Sequence, residues 1–260
     1  MAERTEHTPG TFSWTDLTTT DQDAAKQFYT ALFGWTYDDN PVGENMVYSM
    51  AVVDDKPVAA ISPQPQQQRE AGAPSSWNSY ITVQSADDTL ARAQDLGATV
   101  HADAFDVMDA GRMGIIQDPQ GAYVLVWEPK AHIGAGLVNA PGALTWNELA
   151  TPDIDGATSF YSDLFGWTVT PFEGMETPYS VIKTSADRSN GGIRPTMPPD
   201  SPPFWLAYFA VEDLDAALAK VGELGGNVIL GSTDIGMAKI AVVQDPQSAV
   251  FALYDGELEP

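Results

Sequence analysis

The 260-residue sequence predicts an α+β fold made of two duplicated halves. The main observation is an octapeptide, FYTALFGW at residues 28–35, that recurs as FYSDLFGW at residues 160–167. Two flanking segments recur at nearly the same spacing, WTDLTTTD as WNELATPD and QDPQGAYVLVWE as QDPQSAVFALYD. Within each half, a strand, a helix and several short strands are followed by the same succession again. We therefore predict a first domain at 8–130, a Gly- and Ala-rich linker at 131–141 and a second domain at 142–260.

The first half shows how each element is predicted. TFSWTDL alternates apolar and polar residues and ends at a Thr/Asp cluster suited to helix capping. The next helix carries its apolar residues on one face and is expected to end at Gly34 in a left-handed conformation. VYSMAVVDDKPVAAIS predicts a hairpin that turns at 54–57. A second unit opens with WNSYITV, continues with a helix at about 87–96, and closes with strands broken at Gly111 and at a turn over 118–121.

The repeated octapeptide is interpreted as structural. Its Phe and Leu side chains would face a sheet, its glycine would end a helix, and its Trp would begin the next strand.

The amino-acid composition of the chain limits the kinds of molecule that it can bind. The chain has 36 acidic and 12 basic side chains, a net charge of −24, which disfavours nucleic acid and anionic membranes as partners. Cysteine is absent, which excludes disulfides and thiolate metal sites. The N-terminal segment is polar and no apolar run is long enough to cross a bilayer, so a cytoplasmic protein is expected. Either a monomer or a homodimer is compatible with the duplication.

These segments resemble the vicinal oxygen chelate superfamily, which includes glyoxalase I, extradiol dioxygenases, and the fosfomycin and bleomycin resistance proteins. The resemblance is carried by D…FYxxLFGW in both halves, by the helix ends LGA and LGG, and by GRMGIIQDPQGAYVLVWEP. It implies four βαβββ modules paired into two glyoxalase-like domains, each with a mixed sheet curved into a cup. Within the superfamily, the chain resembles the two-domain glyoxalase-like and hydroxylase-like proteins.

Enzymes of that superfamily hold a divalent metal ion with His and Glu side chains, and the resemblance allows those positions to be inspected. The corresponding residues are Trp14, Asn78, Leu125, Trp146, Leu206 and Ala252. None of them is an imidazole or a carboxylate, and one amide oxygen does not make a transition-metal site. The three histidines, His7, His101 and His132, fall in the N-terminal tail, at a strand start and in the linker. No metal and no cofactor is therefore expected.

Strand alternation predicts the side chains that line each cup, and most of them are aromatic or aliphatic. The candidate ligand-binding residues are Trp14, Asn78, Tyr80, Tyr123, Leu125 and Trp127 in the first domain, and Trp146, Leu206, Tyr208, Ala252 and Tyr254 in the second. Such a lining suits a flat, apolar ligand, but it also suits a cup filled by its own side chains. Binding is favoured for the first cup, whose lining is more polar, and the two alternatives are equal for the second.

One acid faces each cup, Asp16 in the first and Glu148 in the second. A carboxylate among aromatic rings is desolvated, which raises its pKa and suits it to acid–base catalysis. The alternative is that each acid only accepts hydrogen bonds from a neighbouring tyrosine or backbone N–H.

The sequence thus predicts a metal-free tandem protein that binds a small, largely apolar organic molecule, with groups for acid–base catalysis on it, in secondary metabolism or detoxification. Two alternatives stay open. One is a metal-dependent lyase or oxygenase with unrecognised ligands, and the other is a non-catalytic resistance, sequestration or structural protein with filled cups.

Overall fold

The computed structural model describes residues 2–43, 46–174, 177–184 and 188–258, which form two large curved sheets and five helices. The elements up to the linker are β1 (Ala2–Glu3), β2 (Phe12–Thr19), α1 (Gln22–Phe33), β3 (Thr36–Gly43), β4 (Met46–Val53), β5 (Lys56–Pro63), α2 (Gln66–Glu70), β6 (Ser76–Thr82), α3 (Ala86–Asp95), β7 (Thr99–Val100), β8 (Phe105–Val107), β9 (Gly111–Gln117), β10 (Tyr123–Pro129) and β11 (Leu137–Val138). The later elements are β12 (Leu144–Thr151), α4 (Ile154–Phe165), β13 (Thr168–Pro171), β14 (Ser180–Lys183), β15 (Ser189–Pro195), β16 (Phe204–Ala210), α5 (Leu214–Glu223), β17 (Asn227–Asp234), β18 (Ala238–Gln244) and β19 (Val250–Gly256). None of the described helices is long and apolar enough to cross a membrane.

The two large sheets have the same topology. The first runs β3-β4-β5-β2-β6-β10-β9-β7 with β8 also paired to β9, and the second runs β13-β14-β15-β12-β16-β19-β18-β17. At the centre of each, two antiparallel strands (β2 with β6, β12 with β16) are flanked by parallel neighbours. This arrangement confirms the predicted α+β class and its four modules paired into two cup-forming sheets.

Local sequence signals explain the element boundaries. The Asp21 side chain accepts a hydrogen bond from the Ala24 backbone N–H at the start of α1, and Gly34 ends the helix with φ 75°. The second half repeats this at Asp153 and at Gly166, where φ is 70°. These left-handed glycines confirm the predicted helix ends, because other residues adopt that conformation at a cost.

The four longer helices lie between the two sheets, and the two largest hydrophobic clusters each contain residues of both halves. Phe28 and Tyr29 of α1 pack with Phe209 and Phe251 of the second half. Phe12 of the first half packs in the same way against Trp167 and Trp205 of the second half. The convex sides of the sheets therefore face inward, and their concave sides face outward.

The duplicated sequence motifs connect the two halves in pairs. The Tyr29 hydroxyl donates to Asp245 at 3.0 Å, and the Tyr161 hydroxyl donates to Asp118 at 2.8 Å. The Trp35 indole likewise donates to the Gly142 carbonyl at 2.7 Å, and Trp167 makes the equivalent bond to Gly10. The octapeptide is structural, as predicted, but its Tyr and Trp contact the opposite half, which the local reading of the motif missed.

Candidate functional site

Two concave faces are candidate sites, and we call them cup 1 and cup 2. The central side chains of cup 1 are Trp14, Asp16, Tyr80, Leu125 and Trp127. The central side chains of cup 2 are Trp146, Glu148, Tyr208, Ala252 and Tyr254. The strand registers make these two sets equivalent in the order given, because Trp14 and Leu125 both pair with Tyr80, and Trp146 and Ala252 both pair with Tyr208.

The acid of cup 1 is buried in a closed hydrogen-bond network. Asp16 is 5% exposed and accepts hydrogen bonds from Asn78 at 2.8 Å, the Tyr80 hydroxyl at 2.7 Å and the Tyr48 hydroxyl at 3.1 Å. Tyr48 in turn accepts from the Trp14 indole at 2.9 Å. Burial raises the pKa of Asp16, and the three donors oppose that rise. Each side chain in this network hydrogen-bonds to another side chain of the protein.

The linker occupies cup 1. The His132 imidazole lies edge-on to Trp14, with ring centroids 4.6 Å apart, and 5.9 Å from the ring of Trp127. The Trp127 indole donates to the His132 carbonyl at 2.8 Å, and Ala135 is buried in the same cluster. Trp14 and Trp127 are consequently only 3% and 6% exposed.

Main-chain hydrogen bonds fix the linker in this position. The backbone N–H of Ala135 donates to Ser13 and that of Gly136 donates to Pro57, both at 2.8 Å. A ring nitrogen of His7 lies 2.8 Å from the Ala135 carbonyl. Gly134 has φ 107°, and a Cβ there would lie 2.5 Å from the Ser13 carbonyl oxygen, so only glycine allows this close approach.

Cup 2 contains a cavity of about 400 Å³. Trp146 and Tyr254 are partly exposed there, whereas the equivalent residues of cup 1 are buried. Phe172 and Met237 stand at the rim and are 41% and 61% exposed. The remaining residues around the cavity are Glu148, Thr170, Tyr179, Val181, Lys183, Ser189, Tyr208, Ile235 and Ile240.

The acid of cup 2 forms an ion pair with an arginine, whereas the acid of cup 1 accepts a hydrogen bond from an asparagine amide. Glu148 is 5% exposed, and the Arg194 guanidinium donates to its Oε1 at 2.5 Å. The hydroxyls of Tyr179 and Tyr208 adjoin the same carboxylate, and burial together with its negative charge raises the pKa of both tyrosines. The tyrosines are therefore protonated at neutral pH and available as hydrogen-bond donors. The Trp146 indole donates to Tyr179 at 2.9 Å, as Trp14 does to Tyr48 in cup 1.

Cup 2 has smaller side chains than cup 1 at three equivalent positions. Ala252 stands where cup 1 has Leu125, and Tyr254 where it has Trp127. Gly192, which pairs with Glu148, replaces the alanine that pairs with Asp16, and a Cβ at Gly192 would overlap the Tyr179 hydroxyl.

The donors in the cups do not fit a divalent metal ion. The described residues contain no group of three or more His, Cys, Asp or Glu side chains placed to hold a metal ion. Each cup has one carboxylate at its centre, and Arg194 already occupies an oxygen of Glu148. A Zn, Mn or Fe site needs several imidazole or carboxylate ligands, and the described residues of the two cups do not supply them.

The structure places most of the predicted lining residues inside the cups. Asn78 contacts the acid of cup 1, and Leu206 lies in the apolar cluster of cup 2. Tyr123 is the exception: it is 52% exposed and lies 6.1 Å from His101 in a stacked arrangement, away from the cluster of cup 1. The linker lies in cup 1, which speaks against the predicted preference for that cup as the binding cup.

Sequence reasoning missed Tyr48, Tyr179, Arg194 and the inward position of His132. For the two tyrosines a signal existed, because the dipeptide Tyr-Ser recurs at 48 and 179, close to the spacing of the octapeptides. Nothing in the sequence marks His132, which lies between the repeats.

Comparison with known proteins agrees with this geometry. A sequence model of the Glyoxalase/Bleomycin resistance protein/Dioxygenase superfamily matches residues 11–126 and 143–253. The chain belongs to this superfamily.

Its relatives of full length include a candidate glyoxylase of Mycobacterium tuberculosis, CFP32, which is 46% identical over 97% of both chains. The anthracycline biosynthesis protein DnrV of Streptomyces peucetius is 31% identical over 96% of this chain and 95% of its own. Among solved structures, the Mn(II)-bound glyoxalase from Novosphingobium aromaticivorans has a TM-score of 0.66 at 15% identity, covering 96% of this chain and 83% of its own. An extradiol ring-cleaving dioxygenase from B. fuscum also has a TM-score of 0.66 at 15% identity, covering 99% and 75%. At such identities these structures show the shared fold alone.

Proposed function

We propose that this glyoxalase-like protein binds a small, flat, largely apolar organic molecule in cup 2 without a metal ion. The observation that carries the proposal is the cavity of about 400 Å³ whose aromatic walls surround one buried carboxylate. Small-molecule sites typically have volumes of about 300–1,000 Å³, apolar walls and a few fixed polar groups. Cup 2 meets all three conditions.

Glu148 is the group that would orient the ligand. Arg194 balances its charge, and the tyrosine hydroxyls hold it in place in the wall of the cavity. A carboxylate fixed in this way can accept a hydrogen bond from a hydroxyl of the ligand. The same position suits a general base, so proton transfer from a bound hydroxyl is the catalytic step that cup 2 could support. Asp16 has no such role, because its partners and the linker enclose it.

The names of two relatives support a flat aromatic ligand. DnrV and DauV, each 31% identical to this chain, are anthracycline biosynthesis proteins, and anthracyclines contain a hydroxylated anthraquinone ring system. Such a ring system offers the aromatic faces and hydroxyl groups that the walls and the acid of cup 2 would recognise.

The test is a titration of the purified protein with alizarin, a dihydroxylated anthraquinone, followed by quenching of tryptophan fluorescence. We expect saturable quenching that is unchanged after dialysis against a chelator. Glu148→Gln should weaken binding about tenfold or more, because it removes a charged acceptor worth about 1.5–3 kcal/mol.

Asp16→Asn is the matched control, since it makes the equivalent change in cup 1. It should leave the affinity for alizarin unchanged, and urea unfolding of both variants shows that they are folded. Absence of saturable quenching in the wild type, or an equal loss of affinity in both variants, would overturn the proposal.

A further inference from the structure

We infer that residues 131–138 occupy cup 1 as a built-in ligand, and that cup 2 takes a planar ring at the position corresponding to the His132 imidazole, between Trp146 and Tyr254. The inference rests on the proposed function and adds to it a ligand position and a single binding site per chain.

The two cups have equivalent walls. Trp14 and Trp127 contact the His132 ring in cup 1, and the strand registers place Trp146 and Tyr254 at the same two positions in cup 2. Both tryptophans at the first position also donate to an equivalent tyrosine next to the central acid, at 2.9 Å in each cup. This shared bond holds the indole at the same position, so both cups present an indole to an occupant in the same place.

The occupant of cup 1 is an aromatic ring. The imidazole of His132 makes edge-to-face contacts, with interplanar angles of 85° to Trp14 and 68° to Trp127. Its Nε2 atom is buried and has no hydrogen-bond partner among the described residues. The ring therefore fills cup 1 through its shape and its aromatic contacts, as an uncharged aromatic ligand would.

The two cups differ in what covers them. Cup 1 is covered by a segment from outside its sheet, which main-chain bonds to Ser13 and Pro57 hold in place. Every residue around the cavity of cup 2 lies between positions 146 and 254, within its own half. The position that His132 fills in cup 1 thus belongs to the cavity in cup 2.

The cavity of cup 2 has room for a ligand larger than an imidazole. The cavity of about 400 Å³ in cup 2, where Tyr254 stands in place of the larger Trp127, exceeds the space of one five-membered ring. We therefore expect one ring of a larger fused aromatic molecule at the imidazole position, roughly perpendicular to Trp146, with the rest directed toward the exposed Phe172 and Met237.

The experiment uses the whole protein labelled with fluorotryptophan, whose seven indoles give separate fluorine NMR signals. Each signal is assigned by a Trp→Phe substitution. The probes are free imidazole and phenol, which are single rings. In the wild type, both should shift the signal of Trp146 and leave those of Trp14 and Trp127 unchanged.

His132→Gly is the variant that empties the ring position of cup 1, with His132→Ala as a second version. In either variant imidazole should now shift the signals of Trp14 and Trp127 as well. Unshifted Trp14 and Trp127 signals in a folded variant, or an unshifted Trp146 signal in the wild type, would overturn the inference.

Failure of this inference can be distinguished from failure of the proposed function. If alizarin quenches saturably while imidazole and phenol leave Trp146 unshifted, the ring position is wrong and the binding function stands. If alizarin does not bind at all, the proposed function itself fails.

Discussion

Cup 1 and cup 2 descend from the same sequence repeat, yet one is packed and the other contains a cavity. Both have a tryptophan that donates to a tyrosine, and both have one carboxylate next to two tyrosine hydroxyls. In cup 1 an amide satisfies the acid and the linker covers the walls. In cup 2 a guanidinium satisfies the acid and the walls stay accessible.

A few substitutions decide whether such a cup is a packed core or an open binding site. A leucine and a tryptophan pack in the first cup where the second has an alanine and a tyrosine, and the tyrosine lines the cavity. The histidine of the linker completes the packing, so the first cup contributes to stability and the second remains receptive.

The largest expected effect comes from exchanging the residues at the equivalent positions 125 and 252. Leu125→Ala should lower the free energy of unfolding by about 2–5 kcal/mol, because it leaves a cavity in a packed cluster. Ala252→Leu should cost only about 1–3 kcal/mol, as overpacking does. It should also abolish alizarin binding, because the larger side chain at this buried position displaces the cavity residues Trp146 and Tyr208 that pack with it. Urea unfolding and fluorescence titration measure the two effects. Normal alizarin binding by Ala252→Leu, or a negligible cost of Leu125→Ala, would contradict the assignment of core and cavity.

A smaller effect is expected from the titration of His132. Burial, and secondarily the charge of His7, lower the pKa of His132 to about 4 from 6.5. In the unfolded chain His132 is protonated below pH 6.5, whereas in the folded protein it stays neutral down to about pH 4. The free energy of unfolding should therefore fall as the pH is lowered from 6.5 to 4. We expect a loss of about 2 kcal/mol, after allowing for the partial exposure of the ring.

His132→Phe is the matched control, because it keeps a ring in cup 1 and removes the titration. Urea unfolding at several pH values should show a shallower pH dependence for this variant between pH 6.5 and 4. Parallel curves for the two proteins would show that the imidazole is not enclosed in cup 1.

The fold could be predicted from the sequence because its signals are local and duplicated. The glycines at 34 and 166 end helices for steric reasons, and strand alternation places Trp14, Tyr80, Trp146 and Tyr208 on concave faces. The two central acids follow from the same alternation, and both are buried among tyrosines as expected.

The state of each cup could not be predicted in the same way, because it depends on contacts between distant parts of the chain. His132 reaches Trp14 only after the linker has folded back over the first sheet. Arg194 reaches Glu148 from a parallel neighbouring strand, 46 residues away. Tyr123 alternates correctly along its strand, yet it lies beyond the edge of the packed cluster and is exposed.

The number of ligand molecules per chain tests the central claim most directly. Titration calorimetry with alizarin should give one site in the wild type, none in Ala252→Leu and one in Asp16→Asn. Two equivalent sites in the wild type, or a single site that Asp16→Asn removes and Ala252→Leu retains, would contradict the assignment of cup 2 as the binding site.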